Sequence, residues 1–501
     1  MESREQNLPD YDVLIIGSGF SGLGMAIALH KNAKQTFKVI EKGNGVGGTW
    51  RDNTYPGCAC DVPSRLYSFS FAPNPNWSRV FAPQAEIRAY LEDCARKFGV
   101  LPHIQFNTEV REARYDERGL VWHVTMTSGE VLTARVVVSG QGALHIPKVP
   151  SFPGLERFEG DQFHSAQWPE TTDLKGRKVA VIGTGASAIQ IVPHIVDDVA
   201  GMVVFQRNAA WIQPKPNWKI GRLTKWWLNW VPFAGMLNRS LLYWLLEMRL
   251  PPLIKNSGNS FSERMSRKHL ERQVEAPALR EKLTPTERFG CKRVLLSNDF
   301  YPAVARSHVT VETNPIQAVG KNTLETKTGR HEVDTIIWCT GFAVTDVTVN
   351  PLRIVGRKGR VMKEEMSATA KAYLGISVEG YPNFFMLMGP HTGLGHNSMI
   401  YMIESQIAHV MAALEAMGKH RAKSIEVRPE AQERFEDEID QKMEGTVWKS
   451  GCDSWYADKS GRISTIWPDH TYTYRARTRQ IVESDYRFEN TVAKTQDADV
   501  A

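Results

Sequence analysis

The sequence predicts an α/β chain with two parallel-sheet units and a helical segment set into the second. Three observations predict it. A short apolar strand running into a glycine-rich turn and an apolar helix occurs twice, in YDVLIIGSGFSGLGMAIALH from Tyr11 and in VAVIGTGASAIQ from Val179. Two more apolar strands that run into glycine, RVVVSGQG at 135–142 and DTIIWCTGF at 334–342, bracket the second occurrence. A Trp-rich stretch at 226–252 then interrupts the second unit. The chain has 501 residues, enough for two or three cores.

In the first unit, Val13 to Ile16 form a buried strand, Gly17, Gly19 and Gly22 give G-x-G-x-x-G, and a helix follows. Phe37 to Ile40 form the second strand, which ends at Glu41. In the second unit, Gly183, Gly185 and Ala188 give G-x-G-x-x-A, and Met202 to Phe205 form a strand that runs out through Gln206 to Arg207. The pattern has meaning only between a strand and a helix, and both copies have that context. The first glycine permits a tight turn, the second lets the backbone approach a pyrophosphate, and the third position must be small for helix and strand to pack. Free N–H groups at the helix start then face phosphate oxygens.

Glu41 falls 24 residues after Gly17, and Arg207 falls 24 after Gly183. The two occupy one position in two copies of one unit. A carboxylate there accepts hydrogen bonds from a free ribose diol. An arginine cannot accept, but pairs well with a 2′-phosphate. The first unit is therefore expected to bind FAD and the second NADPH. These are two Rossmann-like dinucleotide-binding domains. The strands at 135–142 and 334–342 resemble those that carry the chain between the FAD and NADP domains of flavoprotein oxidoreductases, and that resemblance implies an NADP domain inserted in the FAD domain. The expected division is 1–145 and 331–501 for the FAD domain, 153–215 and 276–330 for the NADP domain, and 216–275 for the helical insertion.

The apolar and charged fractions, 42% and 23%, are ordinary for a globular chain. Net charge is +6 and scattered, with no basic stripe for nucleic acid. The six cysteines form no CxxC and no zinc-ligand spacing with histidine, so no metal site and a reducing cytoplasm are expected. The opening MESREQNLPD has no apolar segment of the signal-peptide kind. Residues 226–252 are broken by Pro232, Arg239, Glu247 and Arg249, too often for a spanning helix of roughly 20 apolar residues. They fit a helical hairpin packed on the body or lining a substrate entrance, and also a helix lying on a membrane surface.

The segment FEGDQFHSAQWP, 158–169, matches F-x-G-x-x-x-H-x-x-x-W-[P/D] through Phe158, Gly160, His164, Trp168 and Pro169. GGTWRDNTYPGCACD, 47–61, supplies Gly47, Gly48, Trp50, Tyr55, Pro56, Gly57 and Asp61. With these two patterns in order around two nucleotide units, the chain resembles the type I Baeyer–Villiger monooxygenases from about residue 10 to about residue 475. The resemblance implies an NADPH- and FAD-dependent enzyme in which reduced flavin carries O2 as a C4a-peroxide. That peroxide attacks a ketone and leaves an ester or lactone; sulfoxidation is a related outcome.

The resemblance also implies roles for single residues. Lys292 and Arg293, in CKRVLLSNDFYPA, match the family's Lys-Arg pair. Arg293 would be the catalytic guanidinium, oriented by Asp61, and Lys292 would help Arg207 hold the 2′-phosphate. On the FAD side the expected contacts are Gly17, Gly19, Ser21, Gly22 and Glu41, then Thr49, Trp50, Arg51 and Asp52, then Ala59, Cys60, Asp61, Tyr67 and Val110. On the NADP side they are Thr184, Gly185, Ala186, Ser187, Ala188, Ile189 and Gln190, with Arg207, Asn208, Lys292 and Arg293. Trp455, in GCDSWY, would close over the nicotinamide ribose. GPHTGLGHNSMIYMIESQ, 389–406, would place a helix N-terminus at the flavin ring. His164 and Trp168 are expected to couple the domains away from the reacting atoms.

The expected partners are a small-molecule ketone and O2, with the chain a monomer or weak homo-oligomer. The nearest alternative is a flavin-containing N- or S-monooxygenase, which shares both nucleotide units. A disulfide reductase would need a CxxxxC beside the flavin, and Cys58 and Cys60 lie only two apart. A non-catalytic NADPH sensor would not consume NADPH when given a ketone.

Overall fold

The computed structural model describes residues 8–256, 260–452 and 454–490. Asp453 of GCDSWY and the first seven residues lie outside them. The first turn sits where the sequence placed it: β1 (Tyr11–Ile16) leads into α1 (Phe20–Asn32) and β2 (Phe37–Ile40). A short β3 (Ile104–Gln105) follows, then β4 (Val110–Asp116), β5 (Val121–Met126) and β6 (Val131–Ser139). Across this sheet the order is Arg353–Val355, β4, β5, β6, β1, β2, β3, and Phe384–Met386 also pairs with β6. Pairing is parallel around β1 and antiparallel through β4 and β5.

The second sheet is wholly parallel. It contains β7 (Asp161–His164), β8 (Lys178–Ile182) and β9 (Gly201–Phe205), with Val309–Glu312 beside β9 and Thr335–Trp338 between β8 and β7. Its strands fall between the two stretches of chain that build the first sheet. The arrangement is therefore the expected one, a Rossmann-like unit inserted within another. One boundary moves. Thr335–Trp338 pairs with Val179–Ile182, so the second sheet runs past the boundary expected at 330. A buried apolar strand ending at a glycine turn fits the edge of either unit, and only register decides which one takes it.

Each unit has its own core. In the first, α1 packs against the long helix Met399–Lys419, with Leu23, Ile27, Ile400 and Ile407 buried between them. In the second, the helix Ala188–Ile195 lies against Val179, Val181 and Val204. Gly22 shows why the third glycine-pattern position is small: a Cβ there would lie 1.8 Å from the Gly17 carbonyl oxygen. The Trp-rich stretch forms a hairpin of two helices, Arg222–Trp230 and Ala234–Glu247, followed by a turn of helix at Leu250–Ile254. Among the described residues no helix is long and apolar enough to cross a membrane.

The cysteines depart from expectation. Cys291 and Cys452 are paired as a disulfide, with their Cα atoms 6.3 Å apart, while the other four are buried free thiols. A separation of 161 residues left no local spacing to reveal the pair. It exists because the loop carrying Trp455 folds back onto the segment preceding Lys292.

Candidate functional site

The loop 47–61 of the first unit meets the second unit from Tyr55 onwards. Gly57 allows the closest approach: a Cβ there would lie 2.3 Å from the His194 ring and 2.6 Å from the Gln190 carbonyl oxygen. Gln190 then clasps the loop. Its side chain donates to the Ala59 carbonyl at 3.0 Å, and its amide oxygen accepts from the Ala59 N–H at 3.3 Å and the Tyr55 hydroxyl at 3.1 Å. At the end of the loop, Asp61 receives a two-pronged pair from Arg293, Nε to Oδ2 at 2.7 Å and Nη2 to Oδ1 at 2.8 Å. The two residues expected at the chemistry, 232 apart in sequence, are thus joined across the seam between the units.

Burial alone would raise the Asp61 pKa, but the Arg293 charge and its hydrogen bonds hold the carboxyl below its usual range. The Arg293 guanidinium is in turn held further in its charged form by Asp61. Two neighbours escaped the sequence reading. Lys215 lies near the pair; burial depresses its pKa, opposed by Asp61. Tyr456 is buried next to exposed Trp455, and its hydroxyl, raised to about 12 mainly by burial, has no hydrogen-bond partner among the described residues. Tyr456 packs in one cluster with Cys291, next in sequence to Lys292 and Arg293. Nothing in the local spacing of Lys215 or Tyr456 marked either one.

At the first glycine turn, Glu41 is buried and saturated. Oε2 accepts from the Ser18 N–H and hydroxyl, each at 2.8 Å, and Oε1 accepts from the Gly43 N–H at 2.7 Å and Arg51 Nη1 at 2.8 Å. Burial opposes its ionisation, yet Arg51 and these donors lower its pKa. A carboxylate offers about four acceptor positions. A ribose diol would therefore bond Glu41 by replacing one of these donors. Arg51 also pairs with Asp52 at 2.7 Å, in the short helix that begins at Thr49. Trp50 Nε1 donates to the Tyr67 hydroxyl at 3.2 Å, Ser21 is buried within α1, and Cys60 is buried with its thiol pKa pushed up by desolvation. The Val110 side chain lies in the core with Ile40, so a cofactor contact there would be made by its backbone.

The second turn is more open. Gly185 and Ala186 are exposed and Ser187 is half-buried before the helix Ala188–Ile195, in which Ile189 is a core residue. A Cβ at Gly185 would meet nothing within 4 Å, so the backbone there is accessible to a phosphate group. Arg207 is exposed just past β9. Beside it Asn208 Nδ2 and Lys292 Nζ both donate to Glu287 Oε1, at 3.1 and 2.8 Å. Lys292 is thus brought to the Arg207 end of the strand, although it shares its charge with Glu287, a residue the sequence reading did not include.

His164 and Trp168 take no part in the Asp61–Arg293 pair. His164 Nε2 bonds the Gly341 carbonyl at 2.9 Å and Nδ1 accepts from the Ala166 N–H at 3.1 Å, which assigns the proton to Nε2. Burial depresses its pKa. Trp168 stacks edge-on with Phe163. A Cβ at Gly160 would lie 2.3 Å from the Asp334 carbonyl oxygen. The motif therefore ties the start of the second unit to the strand 335–338, where the chain returns towards the first.

At 389–406, Ser398 caps the helix Met399–Lys419 by accepting from the Ile400 N–H at 3.3 Å. Asn397 just before it donates to Glu247 at 2.6 Å. Glu247 also accepts from His470 at 2.8 Å and pairs with Thr471. It is the sole acid between residues 216 and 259.

Residues 11–350 match the flavin-binding monooxygenase-like family. A Baeyer–Villiger monooxygenase of Pseudomonas aeruginosa is 46% identical over 488 residues, covering 96% of this chain and 92% of its own. One from Streptomyces coelicolor is 43% identical, covering 97% and 94%. Among solved structures, an oxidised steroid monooxygenase bound to NADP superposes with a TM-score of 0.83 at 30% identity, covering 96% of this chain and 99% of that one. A cyclohexanone monooxygenase of Rhodococcus sp. Phi1 bound to NADP+ gives 0.85 at 26%, with the same coverage. The chain belongs to the flavin-binding monooxygenase-like family, on its Baeyer–Villiger monooxygenase branch.

Proposed function

We infer that the chain is an NADPH- and FAD-dependent Baeyer–Villiger monooxygenase that inserts one oxygen of O2 next to a ketone carbonyl. The observation that carries this reading is the Arg293–Asp61 pair at the seam of two dinucleotide units. The glycine turns fit the cofactors, since Gly22 packs without a Cβ and Gly185 leaves its backbone open.

Bound FAD, reduced by NADPH, supplies oxygen in an activated form. The chain's own residues do the rest. The first unit holds FAD through Gly17, Gly19 and the loop 49–52, and the second holds NADPH through 184–190, Arg207 and Lys292. Arg293 cannot give up its proton at working pH, so it offers a fixed positive charge to the oxyanion that develops on the attacked carbonyl. Asp61 fixes the direction of that charge. Gln190 and His164 keep the two units in register. Trp455 completes the site from the C-terminal loop.

We assign 1–145 and 339–501 to the FAD domain and 153–338 to the NADP domain with its helical insertion. The chain is read as cytoplasmic, a monomer or weak homo-oligomer, with residues 226–252 contacting a membrane surface. A panel of ketones and thioethers, scored for NADPH consumption together with ester formation, tests the reaction. Ester from ketone supports it. Oxidation of sulfur or nitrogen alone, with no ester from any ketone, would transfer the chain to the N- or S-oxidising branch.

A further inference from the structure

The helix Ala234–Glu247 is built inside out. Its polar side chains face the protein. Asn238 accepts from Arg65 at 2.9 Å, Arg239 donates to the Arg65 and Ser68 carbonyls at 2.6 and 3.0 Å, and Tyr243 shares a hydrogen bond with Thr471 at 2.9 Å. Glu247 is enclosed by Asn397 and His470. Most of its apolar side chains lie on the opposite face: Leu237, Leu241, Trp244 and, just past its end, Met248 follow at helical spacing and are 64, 57, 53 and 64% exposed, whereas Ala234 and Leu246 are buried.

The preceding helix, Arg222–Trp230, repeats the arrangement. Lys225 and Asn229 bond Asn76 and Leu228 is buried, while Leu223, Trp226, Trp227 and Trp230 are exposed. A helix at a protein surface ordinarily buries its apolar stripe. Single exposed apolar residues need no explanation, but a contiguous set marks a contact surface.

The charges around this face are of one sign. Residues 216–259 contain six cations and one acid. The acid, Glu247, is buried, whereas Lys219, Arg222, Arg249 and Lys255 are exposed. The hairpin therefore presents tryptophans and cations with no exposed acid of its own, the nearest exposed acids of the insertion being Glu271 and Glu275 further along the chain. Tryptophan settles at the lipid headgroup level, and basic residues are drawn to anionic lipid.

We propose that the outer face of this hairpin docks flat on an anionic bilayer. Among the described residues no helix can cross a membrane, so the attachment is peripheral. The inner sides of the same helices hold the 65–68 segment and Asn397, which lie close in sequence to Asp61 and to the helix Met399–Lys419. A lipophilic ketone dissolved in the bilayer would reach the protein on that side. The inference rests on the membrane-surface reading of 226–252 given above, and its test measures binding rather than turnover, so the reaction can fail while docking stands, and the reverse.

The test is co-sedimentation of the full, FAD-loaded chain with vesicles of phosphatidylglycerol and phosphatidylcholine in equal parts, against phosphatidylcholine alone. The expected result is binding to the anionic vesicles, weakened by salt. Arg222→Glu should lose about fivefold or more in vesicle affinity, from the contribution of one cation near an anionic surface. The double variant Leu237→Ser, Leu241→Ser should lose binding while keeping its flavin absorbance and ketone turnover. Absence of binding to anionic vesicles would overturn the proposal. So would binding that ignores salt and lipid charge, or a dimer in solution that the double variant dissociates, since the face would then belong to a second copy of the chain.

Discussion

The two nucleotide units end their second strands in opposite ways. In the first, Glu41 is buried, pre-paired with Arg51 and fully hydrogen-bonded. In the second, Arg207 stands exposed beside Asn208, close to where Lys292 meets Glu287. One copy of the unit is a closed structural element, and the other presents its charge to solvent. The same position thus works by different physics. An acid in the first unit can stabilise the fold and receive a sugar, whereas an exposed cation at the same position in the second can receive a phosphate.

The largest effect should come where the two units meet. Arg293→Ala removes the fixed charge at the seam, and ester formation should fall by about 10²–10³-fold, the usual loss for one oxyanion donor. FAD content, read from flavin absorbance, should be retained. Next is the closed unit. Glu41→Ala leaves Arg51 with a 9% exposed side chain and without its partner Glu41. Breaking a buried pair costs about 3–5 kcal/mol when the remaining charge is left alone, and less here because Arg51 keeps Asp52. The variant should melt earlier and purify without FAD, and normal FAD content would refute a structural role for Glu41 in that unit.

The open unit should respond differently. Arg207→Ala should raise the KM for NADPH about 10–100-fold, as expected for losing a charged hydrogen bond. The KM for NADH should hardly move. Equal effects on both cofactors would remove the 2′-phosphate from the account and erase the contrast between the units.

The comparison also shows what a sequence exposes. Both turns, both second strands and the 24-residue register of Glu41 and Arg207 were legible, because strand–turn–helix geometry imposes fixed spacings. Asp61 and Arg293 were legible only through motif resemblance. Their meeting depends on the packing of two domains, which no local pattern encodes. Tyr456, Lys215 and Glu287 stayed hidden for the same reason. The disulfide was hidden by its 161-residue span, and the strand 335–338 was assigned to the wrong unit because pattern cannot set register. In the insertion, periodicity showed helices but not which face turns outward. That choice follows from Arg239, Tyr243 and Glu247 finding partners on the body.

The smallest effect is in pH. Glu247 is penalised by burial, but His396, Thr471 and His470 more than offset it and bring its pKa to about 2, below an ordinary 4.5. Because the folded value is the lower one, Glu247 contributes stability above pH 4.5, which is lost as pH falls through about 2. The insertion should loosen in that window, visible as a change in tryptophan fluorescence. Glu247→Gln should flatten the change, and an unaltered profile would show that other groups control it.

The central claim is that the Arg293 guanidinium, aimed by Asp61, makes oxygen insertion into a ketone possible. The most direct measurement follows a single turnover of ketone, NADPH and isotopically labelled O2 in the parent chain and in Arg293→Ala, with products read by mass spectrometry. The account predicts ester carrying one labelled oxygen from the parent, and from the variant NADPH oxidation with hydrogen peroxide and almost no ester. Labelled ester from the variant at the parent's rate would contradict it.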